Sequence, residues 1–291
     1  MRRLLLCVTL IVATSGMYAQ DDKDKLEDGK FYLKGITGLN ASQTSVSNWS
    51  AGGENAMAGT LYLNGSLQRK TGNWLWFNTL ALEYGITNTK SLGTQKTGDK
   101  IDFTTQLGYS TDNKWYYTIM GDLKTQFYKG YNYPDKSQYI SRFFAPAYSN
   151  ISVGLEYRPN TIYSIYLSPL AGKLTFVRDK HLSEQFGIDL GDKLKAELGA
   201  YLKIRIEKEI MENVSLISTA DFFTAYDSSF GNVDINWDLL ISMKINKYLS
   251  ASVNTTLKYD DNVKNIKKDG TIEGPRVQFK EVIGVGVSYN F

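Results

Sequence analysis

Along most of this chain, apolar and polar residues alternate one by one. The last stretch shows it most clearly: Ile283, Val285, Val287, Tyr289 and Phe291 alternate with Gly284, Gly286, Ser288 and Asn290. Before it, Leu249, Ala251, Val253, Leu257 and Tyr259 alternate with Ser250, Ser252, Asn254, Thr256 and Lys258. Ile235, Trp237, Leu239, Ile241, Met243 and Ile245 oppose Asn236, Asp238, Ser242, Lys244 and Asn246, with Leu240 out of step. Ala196, Leu198, Ala200, Leu202, Ile204 and Ile206 oppose Glu197, Tyr201, Lys203, Arg205 and Glu207. A period of two puts each set on one face of a sheet. No segment sustains a helical period. The alternating runs also exceed the ~5–6 residues usual for globular strands.

Read through in this way, the chain predicts about twelve strands, at 31–47, 57–69, 74–88, 99–110, 114–129, 147–158, 161–177, 195–208, 213–226, 232–246, 248–260 and 277–291. Short turns are expected at Lys70–Asn73, Thr111–Asn113, Pro159–Asn160, near Glu209–Glu212 and at Lys247. Longer loops are expected at 48–56, 89–98, 130–146, 178–194 and 261–276, with one short link near Asp227–Gly231 on that same side. Short turns at one end and longer loops at the other are the pattern of an outer-membrane barrel. The expected fold is therefore all-β: an antiparallel up-and-down transmembrane β-barrel of residues 31–291, with both termini in the periplasm.

Alternation alone also fits a secreted soluble barrel or sandwich, in which the apolar face points inward. The strand lengths favour a membrane, since ten or so tilted residues cross it. So do the aromatics. The chain has 20 Tyr, 13 Phe and 5 Trp. Trp74, Trp76, Tyr109, Trp115, Tyr157, Tyr163, Tyr248, Tyr289 and Phe291 sit beside the short turns, where a girdle belongs.

The beginning of the chain has a different texture. Arg2 and Arg3 precede an apolar run, Leu4–Ala13, and Ser15–Ala19 follows as a cleavage region. Residues 1–19 thus read as a secretory signal peptide, too short in its apolar core for a span. Residues 20–30 read as a charged periplasmic tail. Cys7, the one cysteine, lies inside the apolar run, so the mature chain would carry no thiol and no disulfide. The formal charge of +3 gives no case for nucleic acid.

The terminal Phe291 with Tyr289 two before it resembles the signal recognised by the outer-membrane barrel assembly machinery, which would make that machinery and membrane lipid partners. Other stretches resemble the Bacteroidota outer-membrane β-barrel family catalogued as domain of unknown function 3078. They are SNWSAGGEN (47–55), KTGDKID (96–102), WYYTIMGDLKTQFYKGY (115–131), FFAPAY (143–148), VGLEYRPN (153–160), LSPLAGKLTFV (167–177), LKYDDN (257–262) and QFKEVIGVGVSYNF (278–291). The resemblance spans most of the expected mature chain. It implies an outer-membrane location and brings no activity or site residue with it.

Chemistry must then be sought residue by residue. His181, the one histidine, stands near Ser183 and could be written as a base–nucleophile pair, although a loop histidine without a role is the simpler reading. Asp260, Asp261, Asn262 and Asp269 offer oxygen ligands without an ordered spacing. The glycines of SAGGEN precede no helix and suit a tight loop better than a phosphate site. No enzyme, metal or cofactor is expected. The inward face remains. Asp102, Asp122, Lys124, Glu156, Arg158, Glu197, Lys203, Arg205, Asp221, Asp238, Lys244 and Lys258 are expected to point into the lumen, with Tyr62, Tyr116, Tyr128, Tyr166 and Tyr201. Such groups either pair and fill a non-conducting barrel, which could serve as a structural or assembly component, or line a passage for small polar solutes.

Overall fold

The computed structural model describes residues 26–47, 54–110, 112–189, 192–266 and 272–291. The expected signal peptide, residues 1–19, and the first part of the expected tail lie outside them. Twelve strands form the wall: β1 (Phe31–Thr44), β2 (Ala56–Thr71), β3 (Trp74–Thr89), β4 (Gly93–Tyr109), β5 (Trp115–Thr125), β6 (Ala147–Tyr157), β7 (Tyr163–Phe176), β8 (Leu194–Met211), β9 (Val214–Ala225), β10 (Asp234–Lys244), β11 (Ser250–Tyr259) and β12 (Gln278–Asn290). Each pairs antiparallel with its neighbours in sequence, and β12 returns to β1, so the sheet is a closed up-and-down barrel. Closure leaves no long sheet edge to be covered by something else.

Closure depends on the small residues of the last strand. The β1–β12 ladder runs from Ile36 opposite Asn290 to Asn40 opposite Gly286. It is extended by Gly35, whose amide donates to the Phe291 carbonyl at 2.7 Å and whose carbonyl accepts the Phe291 amide at 2.9 Å. A Cβ at Gly286 would run into the Leu39 carbonyl, and one at Gly35 into the Phe291 ring. The alternation of Gly284 and Gly286 with apolar residues is thus the pattern of a strand that must fit tightly against its partner.

The outer face is apolar. Ile119, Leu167 and Ile283 are 57%, 57% and 69% exposed, and Leu61, Leu107, Ile151, Val153, Leu155, Leu198 and Val285 are exposed with them. A contiguous apolar exterior of this kind is stable against hydrocarbon and unfavourable against water. At the end with the short turns, Trp74 packs edge-on to Tyr109 at 5.0 Å, Trp115 tilts on Tyr157 at 4.7 Å, and Tyr289 stacks on Phe291 at 6.4 Å. These are the aromatics expected to form a girdle. Tyr84 with Phe127, and Tyr226 with Phe230, make ring contacts at the loop end.

The strands fall where alternation put them, with instructive exceptions. Strand β4 begins at Gly93, so most of the expected loop 89–98 is ladder, and the turn is only Lys90–Leu92. The segment GTQKTGDK is polar on both faces, which hides a strand whose end lies beyond the apolar belt. Strand β5 stops at Thr125, short of 129, because the amides of Phe127 and Tyr128 turn to the Asp99 carboxylate, at 2.6 and 2.9 Å. Tyr128 is consequently exposed on the loop side, not inward as expected. Pro169 sits inside β7, where it is accommodated by register shifts against both neighbouring strands. Between β10 and β11 the link is 245–249, with the Asn246 side chain accepting the amides of Tyr248 and Leu249 at 2.8 Å each.

The loops are not simply solvated. Ala145, Val177, Leu182, Phe186 and Ile188 form a buried apolar cluster, with Tyr139 and Val263 against it. Asp179 ties this cap together. It accepts the Tyr139 hydroxyl at 2.6 Å and the His181 amide at 3.0 Å, and it pairs with Arg142 at 3.2 Å. Burial works against its charge, but these three groups outweigh it and hold the carboxyl below its ordinary value.

Candidate functional site

Because the apolar face points outward, every second residue of each strand is delivered to the lumen. At mid-height these residues form a network of charges. Asp221 on β9 faces Lys203 on β8 at 3.0 Å and forms an ion pair with Lys124 on β5, four strands away. The Tyr201 hydroxyl donates to Asp221 at 2.7 Å, and the Asn236 amide at 3.3 Å. Lys100 on β4 reaches Asp238 on β10 at 2.9 Å. These two strands are six apart in either direction around the ring, so the pair joins opposite walls. Lys280 on β12 reaches Glu83 on β3 at 2.5 Å, across the inner faces of β1 and β2.

Apolar and aromatic groups fill the space between these pairs. Tyr166 and Tyr201 contact each other at 6.2 Å, and Met120 and Phe223 belong to the same cluster. Leu240, the one residue out of step, is buried inside with Ile36 and Tyr62. Its inward position is therefore packing rather than a break in the strand.

Six of the seven charged residues singled out from the sequence, Asp122, Lys124, Lys203, Arg205, Asp221 and Asp238, are brought into this interior. Asp122 accepts the Asn150 amide at 2.9 Å. Arg205 bonds Glu207 at 2.7 Å and Thr219 at 3.2 Å. Lys244 shares their face but is the last residue of β10, at the turn-end rim, and is exposed. Lys100 and Lys173 were missed. Lys100 continues the series Asp102, Thr104, Gln106 backwards by two, inside the expected strand 99–110, and its phase alone could have found it. Lys173 pairs with Asp234 at 2.6 Å and Asp260 at 2.8 Å.

The interior is consequently divided into hollows. One of about 540 Å³ opens at the loop end and extends down to Lys100, Tyr201, Asp221 and Asp238. Another of about 460 Å³ opens at the turn end and is lined at its inner limit by Arg205. Between them lies a cavity of about 60 Å³, lined by Lys100, Asp102, Lys203, Arg205 and Asp238. At roughly 10–15 Å³ of such volume per water, it has room for a few water molecules.

The loop candidates separate. His181 is exposed, whereas Ser183 is buried and donates to the Asp179 carbonyl at 3.1 Å and the Asp192 carbonyl at 3.4 Å. That serine holds a turn. Asp260 is engaged by Lys173, and Asp261 accepts from Asn232 at 2.7 Å. Asp269 and both glycines of SAGGEN lie outside the described residues. Among the described residues, no group of three or more His, Cys, Asp or Glu could hold a metal ion.

Several solved structures are similar in fold. The COG4313 outer membrane channel from Pseudomonas putida F1 is 10% identical, with 94% of this chain and 100% of that chain covered and a TM-score of 0.39. The translocator domain of the autotransporter NalP from Neisseria meningitidis is 10% identical over 99% and 94%, with a TM-score of 0.34. The NanC porin is 10% identical over 87% and 98%, with a TM-score of 0.36. No curated protein matches the chain. Residues 41–131, from the end of β1 to just beyond β5, match the model of the family described as "Protein of unknown function (DUF3078)".

Proposed function

We propose that this chain is an outer-membrane β-barrel that forms a restricted passage for small polar solutes, closed at mid-height in the state described here. The observation that carries this reading is the pair of charge-lined hollows, one open at each end, separated by a layer of ion pairs and buried tyrosines that itself holds a small cavity. A barrel that serves only as a wall has no need of two such hollows aligned on one axis. The outer-membrane setting is supported by the exposed apolar belt and its aromatic girdle. On this reading residues 1–19 are a cleaved export signal, residues 20–30 a periplasmic tail, and the turn end faces the periplasm together with both termini. The outward row Ile283, Val285, Val287, Tyr289 and Phe291 would be read by the assembly machinery. Membership of a Bacteroidota outer-membrane family, suggested by the resemblance of the quoted stretches and matched by a family model over residues 41–131, is part of the same proposal.

A second reading is a non-conducting structural or assembly component. The Lys100–Asp238 pair favours it, since it bridges opposite walls. Single-channel recordings of the refolded barrel in planar bilayers separate the two. Lys100→Gln combined with Asp238→Asn removes the bridge and leaves the net charge of the lumen unchanged. The passage reading expects rare or small steps from the unaltered chain and larger steps from the double variant. No steps from either protein would establish the non-conducting reading.

A further inference from the structure

The two hollows differ in charge. The loop-end hollow is lined by six cations, Lys100, Lys124, Lys173, Lys258, Lys264 and Arg276, and by six aspartates, 99, 102, 221, 234, 238 and 260. The turn-end hollow is lined by Lys34, Lys70, Arg158 and Arg205, against one carboxylate, Glu207. Glu156, which pairs with Arg158 just behind the lining, is a second acid, so four cations against two acids leave two net positive charges around about 460 Å³. Of the rim acids, Glu27 is paired with Lys30 at 2.5 Å, and Asp28, held on the Gly72 amide at 2.5 Å, still leaves the hollow net positive when counted at full charge.

The cations also converge from opposite sides. Lys34 and Lys70 lie on the adjacent strands β1 and β2, while Arg205 lies on β8 and Arg158 directly follows β6. Among the described residues, neither Lys34 nor Lys70 makes an ion pair. The two guanidinium groups are held in place and still have donors to spare. Arg158 lies over the Phe77 ring at 4.2 Å, and its Nε and Nη2 both donate to Glu156, at 2.9 and 2.5 Å. Its Nη1 makes no hydrogen bond among the described residues. Arg205 is held through Nη1 and Nη2 by Thr219 and Glu207, which leaves Nε. A fixed guanidinium is suited to a carboxylate or phosphate, and a lysine on a flexible stem closes on it as a point charge.

We propose that the turn-end hollow is a binding site for a small organic dianion of the dicarboxylate class, with one charged end on Arg158 and Arg205 and the other on Lys34 and Lys70. This deepens the passage reading by assigning its solute, and it rests on that reading only for transport, because binding needs one open end. Arg205 lines both this hollow and the central cavity, where Lys203 and Lys100 stand next. A bound anion is therefore presented to the next cations on the axis.

The test is calorimetric titration of the full refolded barrel, in zwitterionic detergent, with succinate and with neutral succinamide. The unaltered chain is expected to bind succinate saturably at one site, more weakly as salt rises, and succinamide not at all. Lys34→Gln with Lys70→Gln should weaken succinate about tenfold, the loss of two charge-assisted contacts to one ligand. Lys258→Gln with Lys264→Gln makes the same charge change in the other hollow and should leave affinity within about twofold. Heat-modifiable gel mobility reports that each variant is folded. Absence of saturable binding to the intact chain, equal binding of succinamide, or equal losses in the two double variants would overturn the proposal. Conductance does not enter these readouts, so a barrel that binds succinate and never conducts would refute the passage and leave the site standing.

Discussion

The two faces of this wall reverse the usual arrangement of a soluble protein. Outside, Ile119, Leu167 and Ile283 have no protein partner layer and are more than half exposed. Inside, charged residues are buried, and most are held by a partner: Asp221 by two lysines, Asp238 by Lys100, Glu156 by Arg158. The outer face needs only the right chemical class at each position, because lipid adapts its shape to the wall. The inner face needs particular partners, because an unpaired charge there has little water to compensate it. The outer face should therefore tolerate exchange among apolar residues, while the inner face should respond sharply to the loss of single atoms.

The largest effect is expected where one acid serves two cations. Asp221→Ala leaves Lys124 and Lys203 facing each other across the space that the carboxylate occupied, and removes the acceptor of Tyr201. Removing one partner of a buried pair costs about 3–5 kcal/mol. Urea unfolding in phospholipid vesicles would measure it. A loss below about 1 kcal/mol, the range of solvent-exposed pairs, would mean that water in the hollows screens the network, and the contrast between the faces would fail.

The next test inverts one residue pair on a single strand. Val253 on β11 faces outward and Asn254, its neighbour, faces the lumen beside Ser252, to which it donates at 3.3 Å. Val253→Arg should cost about 2–4 kcal/mol if it meets hydrocarbon near the midplane, and Asn254→Arg distinctly less. A packed protein core would also reject arginine, so the environment must be read directly. A spin label at 253 should be open to lipid-soluble oxygen and shielded from a polar nickel reagent, and one at 254 should lose that preference. A label at 253 shielded from both reagents would place that face in a protein core and remove the membrane setting.

What the sequence made readable follows the same division. Twelve strands were legible because a period of two is imposed wherever one face meets lipid and the other does not. The inward set was legible for the same reason, and even Leu240 is explained once Ile36 and Tyr62 are seen beside it. Where the wall rises beyond the apolar belt, as in the first residues of GTQKTGDK, both faces meet polar surroundings and the pattern disappears, which is why the strand is expected from 99 and not from Gly93. Tyr128 was misplaced because a strand end there is set by Asp99, a residue on another strand. The pairing of Lys100 with Asp238 was not legible at all. It depends on which strands stand opposite, a property of strand number and stagger that no local segment carries. The loop cluster around Leu182 and Phe186 has no period, since its residues come from separate loops.

The smallest effect is the sharpest comparison, because it changes one oxygen on each face. Tyr157 belongs to the outer girdle and packs on Trp115 at 4.7 Å. Tyr166 is fully buried inside and donates its hydroxyl to Ser152 at 2.9 Å. Both keep their ring and its contacts in the Phe variant, so packing and hydrophobic transfer nearly cancel in the comparison. Tyr166→Phe removes a buried hydrogen bond and leaves the Ser152 hydroxyl short of a partner, at a cost of about 0.5–1.5 kcal/mol. Tyr157→Phe takes a hydroxyl from an interface where water and headgroups are at hand, and its cost should be near zero or slightly favourable. Equal losses in the two variants, measured by the same urea titration, would mean that hydroxyls on both faces find water equally well. The interior would then be a wet channel lining rather than a network held by its partners. The expected difference instead marks Tyr166 as part of the layer that closes the lumen.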